Sequence, residues 1–529
     1  MRDFHFPGRS PVLATRAMAA TSQPLATLTA IDILRSGGNA IDAAVAACAV
    51  LCVVEPESTG IGGDCFCLYA PADKDRVIAL NGSGRAPAAA SLEALRERGV
   101  TALEESSPHV VTVPGAVDAW ARLVADHGRK GLDELLQPAI RFAEQGFPVH
   151  ARVAYDWERE GAKLLRDEAT ARRFRPGGWL PAEGDLFVQP ELAQTLRTIA
   201  AKGRDGFYAG EVAEDIVAHL RAKGGLHTLD DFAAQHCDYV EPVSTEYRGY
   251  RVHECPPNGV GIVALLMLNI LEGFEPAAGG AMSVERWHRL IEATRLAFRD
   301  RNAFVADPLQ ADVPVEMLLS KDYAAALRAK IRPDRAMPEL PPPGWPPHED
   351  TVYLCVVDED GNAVSFINSL FKGFGSGIMA PRSGVLLQNR GLGFTLEPGH
   401  PNCIAPGKRP MHTIIPGMLT RDGAAVMPFG VMGGHYQPVG HASMLTNMLD
   451  YGLDVQAAID LPRLFAWDGA VEVERGIPAE VAEGLARLGH RPKPGDRAHG
   501  GGQGIWIDRR RGVLIGGSDS RKDGCALGY

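Results

Sequence analysis

Hydrophobic positions along the chain switch between helical and strand spacing, with breakers at the switches. Past Ser22 and Pro24, Leu25, Leu28 and Ile31 recur at helical intervals until "SGGN" (Ser36–Asn39) stops the run. Asn39 can cap a second helix, and "AAVAACAVLCVV" (Ala43–Val54) reads as a buried helix running into a strand. "VIALNGSGRAP" and "HVVTVPGAV" read as strands leaving into glycine- or proline-bearing turns. From about Asp118 to Lys223 the patterns are largely helical. "VERWHRLIEATRLAFRDRNAF" is the clearest amphipathic helix, with Trp287, Leu290, Ile291 and Leu296 on one face. Residues 331–350 then carry seven prolines, at 333, 338, 341, 342, 343, 346 and 347, a composition that favours extended, solvated backbone and ordinarily marks a linker. Beyond it "TVYLCVVD" and "AVSFINSL" flank "EDGN", a strand–turn–strand signal centred on Asp360-Gly361. Further strands are expected in "GVLLQN", "HTIIPGML", "AAVMPFGVMGG", "QGIWID" and "GVLIGGSD". Such mixing of helices and strands points to the α/β class, as one large unit or several modules.

Composition narrows the function. A chain of 529 residues with 45% apolar and 22% charged residues is globular, and its net charge of −11 argues against a nucleic-acid partner. The apolar run ending at Val54 is too short to span a bilayer, and the first residues lack the apolar core of a signal peptide, so a cytoplasmic protein without a membrane partner is expected. Nine cysteines, mostly within apolar runs and without a CxxC, suggest reduced, buried thiols.

Two glycine clusters have bland readings. "STGIGGDCF" lacks the spacing of a dinucleotide loop and precedes no helix-forming stretch, and "HGGGQG" reads as a turn before a strand. No phosphate loop, H-E-x-x-H or His/Cys ligand cluster is present, so neither a cofactor nor a metal is called for. "VMGGHYQP" differs: adjacent Gly433 and Gly434 after an apolar strand let backbone N–H groups converge as in an oxyanion hole, although such a pair alone is more often an ordinary turn. Thr351 gives it weight. Alone, this is a β-branched residue opening a strand. A threonine hydroxyl becomes a nucleophile when its own α-amine, freed by cutting the preceding bond, serves as base, with a pKa near ~8. An extended linker delivering a threonine to a core strand has the form this chemistry needs.

"DTVYLCVVDEDGNAVSFINSLFKGFGSG" resembles the start of the small subunit of the gamma-glutamyltransferase (gamma-glutamyltranspeptidase) family. The resemblance extends through "GGNAIDAAVA", "VVEPESTGIGGDCF", "ECPPNGVGIVALLMLNILEGF", "PGKRPMHTIIPGML", "DYGLDVQAAIDLPRL" and "GGSDSRKDGCALGY". It implies a four-layer αββα sandwich of the N-terminal-nucleophile hydrolases, matured by cleavage between Asp350 and Thr351. Residues 1–350 would form a large segment ending in the 331–350 processing linker, and residues 351–529 a small catalytic segment, the two staying associated. By position, Thr351 would be the nucleophile, Ser369 its orienting hydroxyl, and Gly433 and Gly434 the oxyanion donors.

The implied substrate pocket departs from the family pattern. Members read "NNQMDDF", whose aspartate grips the donor's α-ammonium, but this chain has "QNRGLGF", with Gly393 at that aspartate and Arg390 at the neighbouring glutamine. His412 and Thr413 replace two serines that touch the α-carboxylate, and Phe371 replaces an asparagine. The carboxylate-binding arginine falls at Ser83, with Arg85 two residues on. The stretch "EPGHPNCIAPGKRP" is too short for the lid loop of some relatives. The implied activity is an amide hydrolase or acyltransferase acting on gamma-glutamyl or related carboxyacyl amides, with water or an amine as acceptor. Two other readings stand beside it: an acylase for glutaryl-type or other small amides, and a non-enzymatic remnant of the fold. Gly393→Asp is expected to shift preference towards amine-bearing donors. The oligomeric state stays open, a homo-oligomer included.

Overall fold

The computed structural model describes residues 8–337 and 350–529, so most of the expected processing segment, residues 338–349, lies outside the described residues. Two seven-stranded sheets stack face to face. The first runs, in spatial order, Val12–Ala14, Val513–Ser518, Gly501–Asp508, Ala424–Met432, Gly417–Arg421, Tyr250–Glu254, Val243–Tyr247. The second runs Cys525–Gly528, Met18–Thr21, Asp350–Val357, Ala363–Phe371, Asp64–Ala70, Ile78–Gly82, Asp238–Val240. Met18, Phe66, Tyr353, Ile367, Met418 and Ile505 interdigitate between them. Helices Pro24–Arg35 and Ala40–Val54 cover the outer face of the second sheet, and Gly261–Glu272 and Gln437–Leu449 that of the first, with Val284–Phe304 packed on these two helices. This is the four-layer αββα sandwich that the resemblance implied. Each of these two sheets takes strands from both sides of residue 350, so neither part builds either of them alone.

Local chemistry explains the elements. Asn39 and Asp42 form a reciprocal capping box, with the Asp42 N–H donating to Asn39 Oδ1 at 3.0 Å and the Asn39 N–H to Asp42 Oδ2 at 2.9 Å. The helix they start is buried along all of Ala40–Val54, as its all-round apolar surface demands. It does not run into a strand: the helix continues through Val54, and the next strand opens only at Asp64. "HVVTVPGAV" is not a strand either. Pro108 opens a short 3-10 turn, and Val113 donates to the Arg85 carbonyl at 3.0 Å as a single contact. "GVLLQN" forms only isolated bridges, at Leu386 and Leu387. The hairpin around Asp360-Gly361 forms as expected, with Gly361 at φ 86°.

Two contacts fix the sheets where the candidate site residues emerge. Tyr353 lies so close over Gly430 that an added Cβ would stand 2.4 Å from its ring. Ser365, on the neighbouring strand, donates to the Phe429 carbonyl at 3.2 Å and shares a 2.7 Å bond with the Tyr353 hydroxyl. The strand Asp350–Val357, which carries Thr351, is thereby held against the strand that ends at Met432, just before Gly433-Gly434. Among the described residues, no helix is long and apolar enough to cross a membrane.

Candidate active site

Thr351 sits one residue into its strand, where the register with Ala363–Phe371 slips: Asp350 pairs with Phe371, but Val352 pairs with Asn368. Such a bulge re-aims the intervening side chain. The Thr351 side chain is almost wholly buried, and its Oγ1 shares a 3.1 Å hydrogen bond with Ser369 Oγ. Ser369 Oγ also accepts from the Phe371 N–H at 2.8 Å and from Arg390 Nη2 at 3.2 Å. Phe371 holds a positive φ of 85°, costly for a bulky side chain, and so turns its ring over the Arg390 guanidinium at 4.0 Å. Arg390 Nη1 donates to Thr413 Oγ1 at 2.7 Å. Thr351, Ser369, Arg390 and Thr413 thus form one connected polar chain.

Gly433 and Gly434 lie where the strand Ala424–Met432 hands over to a helical run that continues into Gln437–Leu449. The first N–H groups of such a run have no intrahelical acceptor. Gly433 (φ 115°) and Gly434 (φ 54°) both occupy backbone regions that favour glycine. A cavity lined by both Thr351 and Gly433 opens beside them. The next residue, His435, accepts at Nδ1 from Arg301 at 3.0 Å and stacks on Trp467, with ring centroids 4.9 Å apart. Burial, then the charge of Arg301, pushes its pKa well below normal, so the ring is neutral.

The remaining positions singled out by the sequence are placed differently. His412 is fully buried, with Nε2 on Asp64 Oδ2 at 2.9 Å and Nδ1 accepting from the Ile414 N–H at 3.4 Å. Burial, then the nearby Arg390 charge, outweighs Asp64 and lowers its pKa to about 3, leaving a neutral ring with both nitrogens engaged inside the protein. Arg85 pairs with Asp238 at 3.3 Å, and Arg409 shares that carboxylate at 2.8 Å. Among the described residues no hydrogen bond joins Arg85 to Thr351, Ser369, Arg390 or Thr413. Gly393 leaves no room for a side chain, since a Cβ would stand 2.4 Å from the Met411 carbonyl oxygen. Gly393→Asp would therefore displace the loop and cannot serve as a clean reversal of specificity.

Asp64 was not singled out by sequence reasoning. It opposes Ser369 across the sheet, and its carboxylate accepts from the Gly115 N–H at 3.0 Å, Gln388 Nε2 at 2.9 Å and His412. Its only signal was a buried-looking acid directly after "GIGG". Asp64→Asn puts an amide N–H among three donors, and a buried group left unsatisfied costs about 1–3 kcal/mol. The variant should lose stability of that order in urea unfolding, and an unchanged midpoint would show that the network adds nothing.

Comparison with known proteins gives a consistent set of matches. The family described as Gamma-glutamyltranspeptidase matches residues 26–529. The glutathione hydrolase-like YwrD proenzyme of Bacillus subtilis is 39% identical over 526 residues, covering 98% of this chain and 99% of its own length. The oxamate amidohydrolase proenzyme of Klebsiella pneumoniae is 36% identical over 533 residues, with 98% and 99% covered. Among solved structures, a cephalosporin acylase from Bacillus halodurans superposes with a TM-score of 0.93 at 43% identity, covering 100% of this chain and 99% of that one.

Proposed function

The chain belongs to the gamma-glutamyltranspeptidase family, and from that premise we propose that it is a self-processing amide hydrolase or acylase with Thr351 as nucleophile. One observation carries the reading: Thr351 Oγ1 stands 3.1 Å from Ser369 Oγ in a bulge at the head of a core strand, in one cavity with Gly433. Its place directly after the proline segment, and relatives named as proenzymes, support self-cleavage. In maturation the Thr351 hydroxyl attacks the Asp350 carbonyl carbon and the C–N bond breaks. Water then hydrolyses the resulting ester, leaving a carboxylate on Asp350 and a free amine on Thr351. In turnover that amine takes the hydroxyl proton while Oγ1 attacks the substrate amide carbon. The N–H groups of Gly433 and Gly434 receive the oxyanion, the amine half leaves with a proton, and water or an amine resolves the Thr351 ester. Ser369, with two N–H donors on its oxygen, gives its own hydrogen towards Thr351 and holds that oxygen for attack.

For the acyl half we infer a carboxyacyl group without a required α-ammonium. Arg390, fixed between Ser369 and Thr413, supplies a cation on this side, and Asp64, the register partner of Ser369 on the neighbouring strand, is already engaged with Gly115, Gln388 and His412. A donor ammonium there meets the positive charge of Arg390, which disfavours it by roughly 1 kcal/mol even at water-like screening over 4 Å. The gamma-glutamyl reading suggested by the glutathione hydrolase-like relative stands second. Removing the α-amino group from a gamma-glutamyl anilide, which leaves a glutaryl anilide, is expected to hold or raise kcat/KM. The test compares gamma-glutamyl, glutaryl and simple acyl anilides on the matured protein. A strong preference for the gamma-glutamyl compound would overturn this assignment of the acyl pocket, and turnover of none would overturn the hydrolase reading.

A further inference from the structure

His435 follows Gly434 directly and lines the same cavity as Thr351, yet neither splitting nor turnover as written above uses it. Its side chain is 3% exposed. The ring lies nearly parallel to Trp467, with 16° between the planes, and meets the Phe371 ring edge-on with centroids 6.4 Å apart. Arg301 Nη1 stands 3.0 Å from Nδ1. That arginine is itself clamped. It is 1% exposed, donates from Nε and Nη2 to Asn302 Oδ1 at 3.0 and 2.9 Å, and lies 4.3 Å over the Phe298 ring. A guanidinium has donors only and keeps its charge, so Nδ1 must accept. The hydrogen of the neutral ring is then on Nε2, the nitrogen turned away from Arg301. The surrounding charges agree in sign: after burial, Arg301, Lys372 and Arg390 hold the ring's pKa down. A further positive charge is disfavoured there, and a neutral N–H is what remains. Phe371 links this ring to Arg390, whose guanidinium lies 4.0 Å from the Phe371 ring centre. Arg390, Phe371 and His435 thus stand in a row next to the Thr351–Ser369 pair: a cation, an apolar face and a neutral donor.

We propose that His435 determines specificity for the acyl half, its Nε2–H donating to the same acyl carboxylate that Arg390 attracts, and that Arg301 is the positioning residue that fixes the hydrogen on that nitrogen. The proposal rests on the Thr351 and carboxyacyl readings above. The aliphatic stem of the acyl group packs on Phe371, between the two polar groups. Arg390 supplies charge, and the imidazole supplies direction without adding a cation to those of Arg301, Lys372 and Arg390. Arg301 belongs to residues 1–350 and His435 to residues 351–529, so selectivity for the acyl group depends on both segments staying together.

The test compares matured wild-type protein and variants on the anilides of glutaryl and of butyryl, the same chain without its carboxylate. His435→Phe keeps a ring against Trp467 and removes the donor. It should lower kcat/KM for the glutaryl anilide about tenfold more than for the butyryl one, mainly through KM, the scale of one hydrogen bond to a charged group. His435→Gln, whose amide nitrogen reaches about where Nε2 stands, should restore most of that difference. Nuclear magnetic resonance on protein carrying isotope-labelled histidine reads the ring directly, the His435 signal being the one that His435→Phe removes. The hydrogen is expected on Nε2 in the wild-type protein, and Arg301→Met should let both nitrogens share it and reproduce the glutaryl-selective loss. If Arg301→Met fails to fold or split, the two His435 variants and the wild-type spectrum still decide. A hydrogen on Nδ1, a charged ring, or a His435→Phe protein that slows both anilides equally overturns the proposal and leaves the carboxyacyl reading standing. Equal kcat/KM for the two anilides on the wild-type protein overturns the carboxyacyl reading and this proposal with it, and turnover of neither overturns the Thr351 reading as well.

Discussion

Thr351→Ala is expected to purify as one polypeptide of 56.7 kDa and to release no product from any amide. Splitting and turnover use the same oxygen in the mechanism above, so one substitution removes both, which no purely structural role would do. Alanine keeps the Cβ and the strand. The lost hydrogen bond to Ser369 costs only about 1 kcal/mol net, small beside the stability of a domain this size. Folding should survive, with a thermal midpoint within a few degrees of the parent. Intact-mass analysis then separates the outcomes. The parent gives two species that break between Asp350 and Thr351, and the variant gives one. A variant that still splits there would take the threonine out of its assigned role, as would a parent that is active and never splits. Thr351→Ser offers a control, because it keeps an oxygen at the same position and should retain both reactions at reduced rate.

Elements governed by local pattern were legible in the sequence. The helix Val284–Phe304 matches its amphipathic run, because helical periodicity and a Ser283 cap act over one turn. The Asp360-Gly361 hairpin was equally readable, since its turn chemistry is local. "HVVTVPGAV" failed for the opposite reason. Its β-branched residues suit a strand, but Thr112 is called to Gln388, 276 residues away, and Val113 approaches Gly84 so closely that a Cβ there would stand 1.8 Å from its carbonyl oxygen. Tertiary contact decided that segment.

The candidate site divides in the same way. Thr351, Ser369, Arg390 and Thr413, assigned by resemblance, come together through hydrogen bonds, and Thr351 and Gly433 share a cavity. Arg85 was placed by its two-residue distance from Ser83, whereas its actual partner, Asp238, lies 153 residues away and cannot be read from spacing. Asp64 was invisible for a related reason. A buried acid acquires meaning only from what surrounds it, and its partners Gly115, Gln388 and His412 come from separated stretches of chain.

The second large effect expected is at Gly433. Its φ of 115° lies where an L side chain is strained, and a Cβ there would stand 2.8 Å from the Cα of Gly500, a backbone atom that cannot swing aside. Gly433→Ala must therefore shift the turn and, with it, the N–H groups of residues 433 and 434. Misplacing an oxyanion donor by a fraction of an ångström forfeits stabilisation that exists only in the transition state, and losing one donor costs on the order of 10²–10³ in kcat. KM should change little, because the ground-state carbonyl leans on those donors less than the oxyanion does. Self-splitting passes through a comparable oxyanion at the Asp350 carbonyl, so the variant should also mature slowly, with uncut chain persisting after the parent is fully processed. Stability gives the needed contrast: positive-φ strain of about 1–2 kcal/mol lowers the unfolding midpoint by only a few degrees. Measuring kcat, KM, the fraction split and the midpoint on one preparation distinguishes a displaced donor from a damaged fold. A folded, fully split Gly433→Ala protein whose kcat stays within tenfold of the parent would remove this turn from the oxyanion role and require the donors to be sought elsewhere along the cavity.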